Sequence, residues 1–574
     1  MVIAMSNNKN QAQNRKRSLL RLLGGLAIIL ILNLAGTLGF FRLDLTQEKR
    51  YTLSENTREL LRSLDDIVYF KIYLEGELPA SYKKLQNSVH EMLDEFRAYN
   101  KSNIEYEFID PSEGRDKRTL NDFYNELVEK GLQPAVDRQQ SSTSSEQRVI
   151  WPCALVTYKT RETPVNFIQT GQKTDKEVLI NESLESLEFN LIDAIRRLTI
   201  REKPAIAFID GHGEADAMQT EDITRSLTDY YTIKRIKINQ KLDALNDLKA
   251  IIIAGPDSAY NEKDKFIIDQ FIMKGGRVLW LIDGTATNMD SLQSRAETVA
   301  IANELNLEDM LFKYGVRINN NLVLDMNSCP IPVKTGQVGD QPQFEYYNWY
   351  YFPSISNPDG HPIVKNLNAI RFEFVSGIDT VGNSSIKKTV LLSTSSSSRI
   401  LNTPAIISLN VLTEQPSKEY FNKSKIPVAV LLEGNFNSVF ANRIPPEIAE
   451  DKEIGYRELG EKTRMIVVSD GDIIRNQFVM RNGQYLTYPL GYDRYTGINY
   501  GNKDFILNCM NYLVDDSNLL SIRSRELKIR LLDKSLVASN KLRIQLTNVL
   551  GPVFSIIAFG FLLMFFRKLK TRKG

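Results

Sequence analysis

The densest group of reactive side chains in this sequence is Asp210-Gly211-His212-Gly213-Glu214. It follows the apolar run AIAFID (205–210), which reads as a short parallel strand. Two glycines make a tight turn there, and His212 is one of only 3 histidines in the chain. Asp257, Asp283 and Asp470 each follow another apolar run of the same kind. In open α/β sheets, ligands bind at the carboxyl ends of the strands. Asp210, His212, Glu214, Asp257, Asp283 and Asp470 are therefore expected to converge on one crevice that holds a cation or a polar solute. The competing reading makes Asp257 and Asp283 caps of helices or turns, and His212 a structural hydrogen-bonding residue.

Catalysis finds little support in the same loops. Covalent chemistry needs a nucleophile on a strained turn beside a base. The strand ends offer GHGE, GPDS, DGT and DGD, and no Gly-x-Ser-x-Gly surrounds Ser258. The chain has no Walker A loop, no dinucleotide GxGxxG and no His-x-x-x-His pair. The expectation is a protein that is not an enzyme, with no cofactor and no metal, so any ATP hydrolysis belongs to another chain. A hydrolase acting through Asp210, His212 and Glu214 is the catalytic alternative.

The elements that must position these residues follow from periodicity. AIAFID, AIIIAGP (250–256) and RVLWLID (277–283) alternate with helical stretches at 219–231 and 262–273. Continuous apolar strands alternating with helices indicate a parallel sheet covered on both faces. RMIVVSDGD (464–472) and GNKDFILNCMNYLVDD (501–516) read as a strand and a helix returning to that sheet. The result is a doubly wound, flavodoxin-like domain over 203–516, with an irregular β-rich insertion at about 310–460. Within the insertion, QPQFEYYNWYYF (341–352) is an aromatic stretch suited to a surface or to local core packing. Ahead of it, residues 47–200 form a first α/β domain. Ser54 caps a helix, IVYFKIYL (67–74) and IEYEFID (104–110) read as strands, and a helix over 82–99 buries Leu85, Val89, Met92, Leu93 and Phe96. Strands at 154–158 and 163–168 and a helix from Leu184 to Leu198 complete a thioredoxin-like arrangement without a Cys-x-x-Cys pair.

Two uncharged runs flank these domains, LLGGLAIILILNLAGTLGFF (22–41) and LTNVLGPVFSIIAFGFLLMFF (546–566). Each has about the 20 residues that a bilayer-spanning helix needs. The chain has 574 residues and a formal net charge of +2. Five basic residues and no acid lie in 1–21 and again in 567–574, which leaves −8 between them. Basic flanks stay in the cytoplasm. The expected topology is therefore a cytoplasmic tail (1–21), a first span (22–41), the periplasmic α/β domains, a helical stalk (517–545), a second span (546–566) and a cytoplasmic tail (567–574). The mildly acidic middle argues against nucleic-acid binding. Cys153, Cys329 and Cys509 show no metal-site spacing and cannot all pair.

The sequence also resembles a known family. An N-terminal anchor is followed by RYTLSENTRELLRSL, IVYFKIYL, IDGHGE, AIIIAGP, GGRVLWLIDG, RMIVVSDGD and GNKDFILNCMNYL, then a basic-flanked C-terminal span. This order resembles the GldG family of gliding-associated ABC transporter components of Bacteroidota, and the wider ABC transporter auxiliary proteins. The resemblance implies a GldF-like permease and a GldA-like ATPase as partners. It also implies an inner-membrane location and a role labelled substrate binding. Two function classes follow: the external region binds a substrate for the permease, or it transmits permease motion to an envelope or peptidoglycan-side partner. A free-standing envelope scaffold is the alternative.

Overall fold

The computed structural model describes residues 20, 22–31, 52–140, 145–168, 176–287, 289, 291–292, 297–339, 341–357, 360–382, 385–412, 418–451, 454–481, 483–515, 520, 522, 537 and 539–571. The chain forms two compact units, residues 1–525 and 526–574. The first is mixed α/β with several sheets.

Helix α1 (Glu55–Arg62) starts where Ser54 accepts a hydrogen bond from the Thr57 amide, the capping geometry that Ser favours. Strand β1 (Val68–Ile72), helix α2 (Ala80–Tyr99) and strand β2 (Ile104–Phe108) make a parallel βαβ unit. Leu85, Val89, Leu93 and Phe96 of α2 are fully buried, as their helical spacing requires. Helix α3 (Lys117–Glu129), capped by Asp116, and a hairpin of 135–140 with 145–150 come next; neither was expected. Strands β3 (Cys153–Tyr158) and β4 (Arg161–Asn166) then add antiparallel, giving the order β2-β1-β3-β4. Helix α4 (Lys176–Thr199) crosses this sheet and packs on α2.

The second sheet uses β5 (Ala205–Asp210), β6 (Thr232–Lys237), β7 (Ala250–Ala254), β8 (Arg277–Leu281), β9 (Lys387–Ser393), β10 (Pro427–Asn437) and β11 (Leu459–Val468). Their spatial order is β9-β10-β11-β8-β7-β5-β6. The five strands from β6 to β11 are parallel and run in flavodoxin order. Side chains alternate between the faces. Ile206, Phe208, Ile252 and Leu279 meet α5 (Glu221–Leu227) and α8 (Asn502–Val514) on one side. Ala207, Ile209, Ile253 and Trp280 meet α6 (Glu262–Met273) and α7 (Glu308–Tyr314) on the other.

Two strands of the insertion join the second sheet: β9 and β10 extend it antiparallel beyond β11. VAVLL of β10 is wholly buried, so both of its faces need cover. The rest of the insertion has its own core, in which Trp349, Tyr351 and Phe352 are buried. Phe344 and Tyr346, earlier on the same strand, are exposed.

Among the described residues one helix is long and apolar enough to cross a membrane, Lys541–Phe566 within α9 (Lys541–Thr571). Pro552 lies inside it, which membrane helices tolerate. Of the expected first span, Leu22–Ile31 is a short apolar helix and 32–41 lies outside the described residues, so two flanking spans are not established. Most of the expected stalk, 516–519, 521, 523–536 and 538, likewise lies outside them.

Candidate functional site

The strand order reverses between β5 and β7, and their carboxyl ends carry the loops 211–215 and 255–260. Backbone bonds staple the two loops together. Ala215 N donates to Ala254 O at 2.8 Å, and Asp257 N and Ser258 N both donate to His212 O at 3.0 Å. Gly213 has φ +77, and a Cβ there would stand 1.6 Å from Asp257 Oδ1. This close approach is why the turn needs glycine.

His212 is buried in a closed clasp. Its ring stacks on Tyr260 with centroids 3.7 Å apart. Nδ1 stands 3.4 Å from Glu214 Oε1, and Nε2 stands 3.3 Å from Asp264 Oδ2 on α6. The Tyr260 hydroxyl donates to Glu214 Oε1 at 2.5 Å, and His212 N donates to Oε2 at 2.7 Å. Burial pushes the Glu214 carboxyl up, but hydrogen bonds from His212, Tyr260 and the backbone outweigh it and hold the group below its usual range. Both ring nitrogens face carboxylates of the protein, so the arrangement joins the β5 loop to α6.

Asp210 points elsewhere. It makes a two-pronged pair with Arg235 of β6, Nε to Oδ2 at 3.0 Å and Nη2 to Oδ1 at 2.6 Å. Arg235 also donates to Thr220 Oγ1 and Ala215 O, which brings four of its five N–H groups into use. Asp257 is exposed and accepts from the Ser258 hydroxyl at 2.7 Å.

Asp283 and Asp470 belong to a third group, at the ends of β8 and β11. Asp283 Oδ1 accepts from Gly471 N at 2.7 Å. The fully buried Asp470 accepts from Asp472 N at 2.8 Å and Glu373 N at 2.7 Å. Arg371 pairs with Glu373 at 2.9 Å and Arg475 with Asp472 at 2.9 Å. Burial, with Asp283, Asp472 and Glu373 alongside, pushes the Asp470 carboxyl well above its usual range. Burial also raises Asp283 and Glu373. A Cβ on Gly471 would lie 2.4 Å from Gly255 Cα, so the β7 and β11 loops touch backbone to backbone.

The six residues thus lie on neighbouring loops but fall into separate hydrogen-bonded groups, each largely satisfied from within. Among the described residues no three His, Cys, Asp or Glu are arranged to hold a metal. Tyr260, Asp264, Arg235, Glu373, Arg371 and Arg475 complete the groups and were not anticipated. Tyr260 and Asp264 flank Asn261, which caps α6, so a cap signal seven residues beyond the end of β7 pointed to them. Glu373 and Arg371 come from the insertion and left no local signal.

Residues 203–509, more than half of the chain, match the family model described as an ABC-type uncharacterized transport system. Residues 47–157 match a domain of unknown function. An uncharacterized protein of Borreliella burgdorferi is 21% identical over 587 residues, covering 97% of this chain and 100% of that protein. The solved mmIFT52 N-terminal domain is similar at 14% identity with a TM-score of 0.30, covering 54% of this chain and 97% of that one. The match over the sheet domain decides the assignment: the chain belongs to the ABC-type uncharacterized transport system family, as an auxiliary component.

Proposed function

We propose that this chain is the non-ATPase subunit of an ABC transport complex, anchored in the inner membrane at both ends of its sequence. In this reading it engages a permease and transmits permease motion to a periplasmic body. One observation supports it best: helix α4 holds both ends of the globular region. Glu188 accepts from Ser54 N at 2.8 Å and from Thr57 Oγ1 at 2.7 Å, at the start of the region. Arg196, eight residues along α4, pairs with Asp515 at 3.4 Å, at its end. At 1.5 Å rise per residue these two ties are about 12 Å apart along the helix. The same helix grips the second sheet through Asp193, which accepts from the Tyr230 hydroxyl at 2.7 Å. Displacement of either anchor therefore loads α4 and, through it, both domains.

The GldF-like permease, the GldA-like ATPase and the link to gliding rest on the sequence resemblance. Solute capture or hydrolysis at the strand-end residues is disfavoured, because Asp210, His212 and Glu214 are engaged by Arg235, Asp264 and Tyr260. The test is purification of the full-length chain from native membranes in mild detergent, with bound proteins identified by mass spectrometry. Recovery of a multi-span permease and an ATPase is expected. Their absence, from a preparation that keeps other membrane complexes intact, would leave the free-standing scaffold.

A further inference from the structure

The insertion does not seal the carboxyl end of the sheet completely. A cavity of about 660 Å³ remains beyond the end of β8, between Asp283-Gly284 and the insertion. That volume lies within the roughly 300–1,000 Å³ of small-molecule sites.

Its walls have three components. The first is positive charge outside any ion pair: Arg317 and Lys423 line the cavity, are exposed, and pair with no acid among the described residues. The lining acids are Glu308, which is exposed, and Asp283, which is occupied with the Gly471 amide. The second is a set of side-chain amides. Asn320 and Asn402 are exposed, with no side-chain hydrogen bond among the described residues. Asn321 is buried, and its Oδ1 accepts from Gly377 N at 2.9 Å, which orients the amide. The third is an aliphatic patch that includes Leu305 and Ile400. Cations fit a carboxylate or phosphate. Amides, each both donor and acceptor, fit hydroxyls, and an aliphatic patch fits the C–H face of a ring.

We propose that this cavity binds an acidic sugar, its anionic group between Arg317 and Lys423 and its hydroxyls on the asparagine amides. The site lies apart from the Asp210, His212 and Glu214 loops and goes beyond the coupling role above. It stands or falls independently of that role.

The test is calorimetric titration of the full-length chain in detergent with glucuronate and with glucose 6-phosphate, using glucose and inorganic phosphate as controls. At least one acidic sugar should bind saturably and more tightly than either control. Arg317→Gln and Lys423→Gln should each weaken that binding roughly tenfold to hundredfold, the loss of one charge-assisted contact. Both side chains are exposed, so the thermal unfolding of the unliganded variants should match the parent. Asn402→Asp, which adds a negative charge to the wall, should weaken binding too. The proposal is overturned if neither acidic sugar binds, if glucose or phosphate binds as tightly, or if binding survives both glutamine variants unchanged.

Discussion

Replacing Glu188 with alanine removes the acceptor that holds the first helix of the globular region in place. Glu188 Oε1 receives both Ser54 N and Thr57 Oγ1, and Thr57 is fully buried. A hydrogen bond to a charged group contributes about 1.5–3 kcal/mol. The Ser54 hydroxyl also donates to Thr57 Oγ1 at 2.8 Å and keeps that side chain partly satisfied. The lower end of the doubled range, about 3 kcal/mol, is therefore the appropriate figure. At about 1.4 kcal/mol per decade, α1 should open roughly a hundredfold more often. Hydrogen exchange read by mass spectrometry on the full-length chain would report this in peptides covering 52–63. Peptides covering β7 should not change, because the break is local. Glu188→Gln keeps the acceptor oxygen without the charge and should lie between parent and alanine. Unchanged exchange in 52–63 would refute the idea that Glu188 anchors this end. Equal acceleration in β7 would show that Glu188 supports the whole fold instead.

Gly471→Ala places a Cβ 2.4 Å from Gly255 Cα, a backbone atom that cannot rotate away. It should cost at least about 1–3 kcal/mol, visible as a lowered Tm. Asp283, Asp470 and Glu373 all have raised folded pKa values. Between the unfolded value near 4 and those raised values the folded state binds more protons, so the group's contribution to stability falls as pH rises. Asp283→Asn keeps an oxygen for Gly471 N and removes one negative charge. Its Tm should therefore decline less than the parent's from about pH 5 to about pH 8, and an equal decline would count against the cluster. Glu214 is shifted the other way, so its contribution is lost only as pH falls below the ordinary carboxylate range. The three cysteines are buried and free, and burial raises their thiols, Cys329 to about 11. Introduced cysteines should thus dominate labelling by an impermeant maleimide. Ser258→Cys should label from the periplasm, whereas Ser6→Cys and Thr571→Cys should not. Labelling of either terminus from outside would overturn the double-anchor topology.

Much of the fold is legible where structure is local. The bounds of β5 and α6 coincide with the sequence reading, because an apolar run ends at Asp-Gly in one case and Asn261 caps an amphipathic turn in the other. Strand β6 escaped because TIKRIK is a charged edge strand with little buried surface. Helix α3 escaped too, since few of its side chains are buried. The role of β10 was invisible for another reason. Its apolar run is plain, but pairing with β11 rather than with the insertion is a long-range choice. The site shows the same division. The strand-end loops could be located, whereas the partners that close them come from α6, β6 and residues 371–373, brought together only by the sheet order.

The placement of both ends of the globular region on α4 also sets the path that force takes. A pull on residues near 54 and 515 passes across a short section of α4, and at its second end also into β8 and β11, where Arg277 donates to Val514 O at 2.9 Å and Arg464 to Asp515 O at 3.5 Å. The first sheet then hangs from the loaded segment as a side mass, whereas the ends of β8 and β11 share the load. Under such loading the weakest links are the Glu188 and Arg196 ties. The terminal segments should peel away from α4, one end at a time, before any strand is drawn out.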